Sequence, residues 1–390
     1  MTHQQHPPKR IKVLLLTRNL PPLVGGMERL NWHMADELSQ YTQVQVVGPK
    51  GAAATKPEKT TLSEAPLKPL PGFMFIAFCK ALWVALRWNP HYIIAGSGLT
   101  APLVWLISKC SGAQSAVYLH GFDITAPSSI YQKLWKPLFK KMDCILVNST
   151  PTKQLALSAG VPENKIHLVF PGVSLPEAPQ SAEMISAFKR KHGLEGKKIL
   201  LSVGRLTTRK GLREFVEHAL PEIVKLEPDA VLAVVGEAPK NSLGAGIQTE
   251  DSIREQAQKS GVSGHVLFLG VITDKRQLAT VYEASDVHVF PVRHIPNDPE
   301  GFGMVAIEAA AHGLPTAAFA TGGIVDAVCH GKSGLLAEQN DYTQLWQHTM
   351  QLLQNPLSDG DMKDFAQDFA WHNFGTRITS ALTSSAVVEW

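Results

Sequence analysis

The chain has 390 residues, 44% hydrophobic and 18% charged, which excludes disorder and exceeds what one hydrophobic core holds. Its four cysteines, Cys79, Cys110, Cys144 and Cys329, form no C-x-x-C pair and none of its 15 histidines sits in H-E-x-x-H, so a disulfide scaffold and standard zinc motifs are excluded. The net charge of +3 hides 18 Lys/Arg against 8 Asp/Glu up to residue 175 and 19 against 26 after it, pointing to two domains, the first with an anionic partner.

Residues 11–16 are an apolar run broken by Lys12 and closed by Arg18, too short for a signal peptide and suited to a strand at 12–17. Pro21-Pro22-Leu23-Val24-Gly25-Gly26 follows. Two glycines ahead of a helix offer backbone N–H groups to an anion, though alone they equally make a turn. Met27, Leu30, Met34 and Leu38 then recur at helical spacing. Further strands are expected at 44–47, 92–95, 116–119, 144–147 and 167–170. Residues 73–88 are apolar but for Lys80 and Arg87. They fall short of the roughly 20 residues of a membrane span and read as a core helix over the first sheet. His120-Gly121-Phe122-Asp123 closes the strand 116–119. Residues 133–142 interleave Lys133, Lys136, Lys140 and Lys141 with Trp135 and Phe139, a mixture suited to an anionic membrane surface, and Pro137 breaks any continuous helix.

Pro171, Pro176 and Pro179 mark a linker, after which the strand-helix rhythm resumes with strands at 199–203, 230–235, 266–269, 287–290 and 316–320. The alternation implies two doubly wound α/β domains, with ligands at the carboxyl ends of their strands in the cleft between them. Gly204-Arg205-Leu206-Thr207-Thr208-Arg209-Lys210-Gly211 follows one such end, where Arg205 and Lys210 make a cationic clamp for phosphate. The sharpest local signal is Pro299-Glu300-Gly301-Phe302-Gly303-Met304-Val305-Ala306-Ile307-Glu308. Two glycines open a helix expected over 305–312, whose positive N-terminus favours a diphosphate. Were the whole run helical, Glu300 and Glu308 would lie about 12 Å apart, suited to gripping two ends of one ligand.

Together these segments resemble the retaining GT-B glycosyltransferases of family 4. Glu300 and Glu308 match the family's E-x7-E, Gly204–Gly211 its G-R-L-x-x-x-K-G, Pro21–Gly26 its P-P-x-x-G-G, and His120–Asp123 its H-G-x-D. Thr321-Gly322-Gly323 and the segment 331–336 look like its T-G-G and G-x-x-G-x-L. The resemblance implies an α/β GT-B fold of two Rossmann-like doubly wound domains facing across a cleft. An acceptor-side domain would occupy 1–172, a linker 173–195, and the nucleotide-sugar domain 196–370. A C-terminal helix over 371–390 would cross back to the first domain, with Phe369, Trp371, Phe374 and Trp390 packing it.

It also implies the roles. Arg205 and Lys210 neutralise the donor diphosphate, and Gly301, Phe302, Gly303, Met304 and Val305 present backbone N–H groups to phosphate and sugar. Glu308 accepts from ribose hydroxyls, Glu300 lies by the transferred sugar, and His120 contacts the sugar near its anomeric carbon. Gly25 and Gly26 close over the diphosphate, and backbone near Gly270-Val271 reads the base. With fixed cations in place no metal and no further cofactor is expected, and Asp359-Gly360-Asp361, a D-x-D, reads as a solvated turn. The partners expected are a UDP- or GDP-linked hexose and a lipid-linked or cell-envelope glycan acceptor, as for lipopolysaccharide and glycolipid mannosyl- and glucosyltransferases. Nucleic acid is not expected. The protein should be cytoplasmic, peripheral on the inner face of a membrane.

Two rivals stand. Gly301-x-Gly303-x-x-Ala306 also fits the dinucleotide fingerprint of an NAD(P)-dependent oxidoreductase, but residues 291–300 separate it from the strand before, and Thr321 stands where an acidic residue is wanted. The other is a sugar-nucleotide-binding protein without transferase activity.

Overall fold

In the computed structural model, which describes residues 11–239 and 246–384, the first apolar run forms β1 (Lys12–Leu16) with Val13 to Leu16 wholly buried. A strand apolar on both faces needs cover on both, which a parallel sheet flanked by helices supplies. β1 pairs with β2 (Gln43–Pro49) on one side and β4 (Tyr92–Ala95) on the other, Val13 opposite Val44 and Tyr92. With β3 (Thr60–Ala65), β5 (Gln114–Leu119), β6 (Cys144–Val147) and β7 (Ile166–Leu168) they form a parallel sheet in the order β3-β2-β1-β4-β5-β6-β7. Between β1 and β2 runs α1 (Gly26–Tyr41), burying Leu30, Met34 and Leu38. The helices α2 (Leu70–Trp88) and α3 (Ala101–Ser111) lie side by side over one face of the sheet, with Phe73, Ala81, Val104 and Ile107 in one core cluster.

This sheet belongs to a unit comprising Met1–Gly172 and Trp371–Trp390. The helix Trp371–Ser384 packs on α1, where the His33 ring stacks on Trp371 with centroids 3.8 Å apart. Gly375 lies where a side chain would strike Glu37, so this helix can approach α1 closely. Trp390 lies outside the described residues.

The second unit is Val173–Ala370. Its six strands, β8 (Lys198–Val203), β9 (Ala230–Val235), β10 (Val266–Gly270), β11 (Val287–Phe290), β12 (Thr316–Phe319) and β13 (Gly334–Ala337), are parallel in the order β10-β9-β8-β11-β12-β13. Both sheets thus carry parallel strands with alternating helices.

Four expectations are corrected. The strands β3 and β13 are additional to those expected: both are edge strands, β3 being polar (TTLSEA), while β13 (GLLA) is apolar and falls in the segment 331–336 read only as G-x-x-G-x-L. The segment 173–195 is not a free linker, because Ala182–Lys191 folds into a helix packed on Lys275–Ala284 within the second unit. Phe139, expected at a membrane surface, is wholly buried in the core, and the Trp135 indole N–H donates to Leu99 O at 3.0 Å. Finally, α2 extends to 19 residues and is long and apolar enough to cross a membrane by length and composition. Its buried residues, Phe73, Ala77, Ala81, Val84 and Ala85, form only its inner face.

Candidate functional site

A doubly wound sheet opens a crevice where neighbouring strands send their following helices to opposite faces. In the second unit that point lies between β8 and β11, since β9 and β10 extend one side and β12 and β13 the other. Around it the backbone comes very close. Gly204, Gly236 and Gly270 follow or end β8, β9 and β10, with φ of 145°, 138° and 69°. Gly204 N donates to Val235 O and Gly236 N to Gly270 O, both at 2.9 Å. Any Cβ on Gly236 would collide with the Gly204 carbonyl. Val271, next in line, is 52% exposed.

The loop after β8 carries the cations. Arg205 is exposed and has no ion-pair partner among the described residues. Lys210 reaches across to the segment after β11 and sets Nζ 2.9 Å from Glu300 Oε2, and 4.6 Å from the centre of the Phe290 ring. Arg209 sits beside it, 3.5 Å from Glu300, 3.1 Å from Asp298, and donating to Pro299 O at 2.7 Å. Only 12% of the Glu300 side chain is exposed. Burial alone would push its carboxyl up, but Lys210, Arg209 and Arg205 outweigh that and hold it down to about 2. Burial lowers the Lys210 ammonium, and Glu300 opposes this. The sequence motif thus hid a third cation: Arg209 occupies an unspecified position of G-R-L-x-x-x-K-G, and its one signal was adjacency to Lys210.

Beyond Glu300 the chain turns through Gly301, Phe302 and Gly303 into the helix Met304–Ala311, one residue earlier than expected. Gly303 caps it with φ 100° in the left-handed region. The first-turn residues Met304 and Val305 are half-buried, and the amides of such a turn point outward along the axis. Thr321-Gly322-Gly323 lies directly beneath this turn. Gly323 N donates to Glu300 O at 2.9 Å, and a side chain on Gly323 would strike Gly301 O and the Phe302 Cα. The T-G-G segment therefore supports the loop bearing Glu300. Glu308, further along the helix, accepts a hydrogen bond from the Tyr282 hydroxyl at 3.2 Å. Tyr282 is another residue that no motif announced.

The first unit has its own switch point, between β1 and β4. Gly25 caps α1, and the space a side chain would take there is held by the Glu28 carboxylate, to which Asn19 Nδ2 donates at 2.8 Å. Gly26 opens the helix itself. Gly96, after β4, fits against Thr17 and Asn31, and its carbonyl accepts from His120 Nε2 at 3.1 Å. A carbonyl can only accept, so Nε2 carries the hydrogen in this bond. The rest of H-G-F-D is local engineering: Gly121 has φ 77°, and Asp123 Oδ2 accepts the His120 backbone N–H at 3.0 Å.

The D-x-D stretch lies in the first turn of the helix Asp359–Gln367, capped by Ser358, with Asp359 2.8 Å from Lys363. It is an acidic helix N-terminus rather than a turn.

The family model of Glycosyl transferases group 1 matches residues 184–369, and that of Glycosyltransferase Family 4 matches residues 24–176. Among curated relatives, the GDP-mannose-dependent alpha-(1-6)-phosphatidylinositol monomannoside mannosyltransferase of Mycolicibacterium smegmatis is 25% identical over 385 residues, 95% of this chain and 98% of that one. Mannosylfructose-phosphate synthase of Agrobacterium fabrum is 31% identical over 211 residues, 52% of this chain, which spans 43% of that relative's length. The crystal structure of Anabaena HepE in complex with UDP matches with a TM-score of 0.76 at 20% identity, covering 96% of this chain and all of that one.

Proposed function

Given that the chain belongs to the GT-B glycosyltransferases of family 4, we propose that it moves a hexose from a UDP- or GDP-linked donor to a lipid-linked or cell-envelope glycan. Transfer would proceed with retention of anomeric configuration and without a divalent metal. UDP in the HepE complex and GDP-mannose in the mycobacterial relative's name bracket the donor classes. The observation that carries this reading is the convergence of Arg209 and Lys210 on an ionised Glu300, at the switch point of the second sheet and beside a glycine-capped helix N-terminus.

The chemistry follows from the charges. Breaking the bond between sugar and diphosphate leaves negative charge on the phosphate, and fixed cations aimed there lower the barrier. Arg205 and Lys210 are assigned that task, with the amides of Gly301 to Val305 as further donors. A carboxylate held at about 2 is ionised at neutral pH, so Glu300 can only accept hydrogen bonds. It is also a feeble base. Its assigned role is to orient sugar hydroxyls, leaving the acceptor's proton to a departing phosphate oxygen. The acceptor oxygen then forms its bond to the anomeric carbon on the face the phosphate leaves, which retains configuration. Glu308 takes the ribose hydroxyls and backbone near Val271 the base. The protein would work in the cytoplasm, at the inner face of a membrane.

The test is a panel of UDP-glucose, UDP-galactose and GDP-mannose, scored for donor hydrolysis without acceptor in the presence of EDTA. At least one donor should turn over, releasing first the anomer of the donor's own configuration. Activity abolished by EDTA and restored by magnesium or manganese contradicts the metal-independent reading, and the opposite first-formed anomer contradicts retention.

A further inference from the structure

We propose that the outer face of α2 and α3 docks on an anionic lipid bilayer. The inference deepens the membrane-borne acceptor reading and rests on it only for its purpose. Opposite the buried side of α2, Phe75 is 70% exposed and Trp83 and Leu86 are each 60% exposed. Steps of eight and three residues put the three on one helical face. Leu106, on the neighbouring α3, adds a side chain 46% exposed. Large apolar side chains gathered in this way mark a surface that meets something other than water.

The charge says what it meets. From residue 65 to residue 142 the chain has eight Lys/Arg and a single acid, Asp123. Lys80 and Arg87 lie on α2 and Lys109 on α3, all exposed, so cations are interspersed with the apolar residues. The Arg87 guanidinium stacks over the Trp83 ring at 5.4 Å, and Lys141 over Trp105 at 5.2 Å. Rings with an apolar body, held beside cations on long stems, match the boundary between acyl chains and phosphate headgroups. Although α2 has the length and composition to cross a bilayer, its inner face is built into the core of the sheet. It therefore lies along the membrane rather than through it. The apolar contact comes from Phe75, Trp83 and Leu86, and Lys141, over the Trp105 ring of α3, adds charge.

The experiment sediments the full chain with vesicles of phosphatidylglycerol and phosphatidylethanolamine, and separately with phosphatidylcholine, without nucleotide sugar. Two triple variants are compared, F75S/W83S/L86S and K80Q/R87Q/K109Q. Wild type should bind the phosphatidylglycerol vesicles and not phosphatidylcholine. The apolar variant should lose at least about tenfold in partitioning. Each Lys or Arg near an anionic surface strengthens binding about fivefold, so the charge variant should lose on the order of a hundredfold. High salt should imitate it. Both variants alter exposed side chains and should keep wild-type donor turnover. The proposal is overturned if wild type ignores phosphatidylglycerol, or if the apolar variant binds as tightly as wild type. It is equally overturned if wild type is a dimer that the apolar variant returns to monomer, since a second copy then covers the face. Turnover without vesicle binding defeats the docking alone; vesicle binding without turnover of any nucleotide sugar defeats the transferase reading alone.

Discussion

Glu300 and Glu308 are the same residue type eight positions apart, and their surroundings make them different chemical groups. Glu300 is enclosed by Arg209 and Lys210 and held ionised, whereas Glu308 sits on a helix with a phenol donating to it. Glu300→Gln keeps the shape and removes the charge, so the oriented acceptor for the sugar is lost while the diphosphate site keeps its cations. Turnover should fall by about 10²-fold, with the Kd for free nucleoside diphosphate not weakened. Glu308→Gln should instead weaken that Kd about tenfold, the cost of one charged hydrogen bond, and change turnover little. Titration calorimetry and donor hydrolysis read the two effects separately. Equal nucleoside diphosphate affinity in wild type and Glu308→Gln would remove Glu308 from the ribose role.

At the scale of elements, the site depends on segments that never touch a ligand in this scheme. The turn bearing Glu300 rests on Thr321-Gly322-Gly323, which follows β12, because two backbones approach there at a distance no side chain permits. Gly323 has φ −69°, allowed to any residue, so Gly323→Ala adds a steric clash without backbone strain. Overpacking of this kind costs about 1–3 kcal/mol. The variant should melt at a lower temperature and, by displacing Glu300 and Gly301, lose turnover out of proportion to its loss of stability. A Gly323→Ala protein with wild-type melting and wild-type turnover would show that the turn does not need this support.

The molecule as a whole couples the site to acid stability through its second unit. His288 on β11 is fully buried, its Nδ1 3.1 Å from Thr316 Oγ1. Burial, with Lys210 adding to it, lowers it from 6.5 to about 3. Between those values the folded imidazole is neutral and the unfolded one charged, so the unfolded chain binds the extra proton and stability falls as pH falls. The contribution is fully present above 6.5. Glu300 acts in the same direction lower down, since its folded value of about 2 lies below its ordinary 4.5. One proton corresponds to at most about 1.4 kcal/mol per pH unit. Unfolding midpoints in urea should therefore decline from pH 6.5 to 3, and His288→Gln should be less stable yet decline less steeply. Parallel wild-type and variant profiles would exclude His288 as the source.

The sequence by itself determined two doubly wound halves, because parallel strands buried on both faces leave apolar runs that alternate with helical spacing. β4, β6, β9 and β11 were legible at the residues where they occur. It also displayed the glycines and charges of the donor site, since a backbone approach or a left-handed turn leaves glycine as a visible mark, as at Gly303. The edge strand β3 was not legible, for an edge needs less apolar surface and its TTLSEA is polar. Nor was the pairing of Arg209 and Lys210 with Glu300, some 90 residues away in the chain, because ion pairs across strand ends leave no periodic signal. The two faces of α2 were the last thing hidden: apart from Lys80 and Arg87 its large side chains looked apolar alike, and only packing against the sheet decided that Phe73 is core while Phe75 and Trp83 face outward.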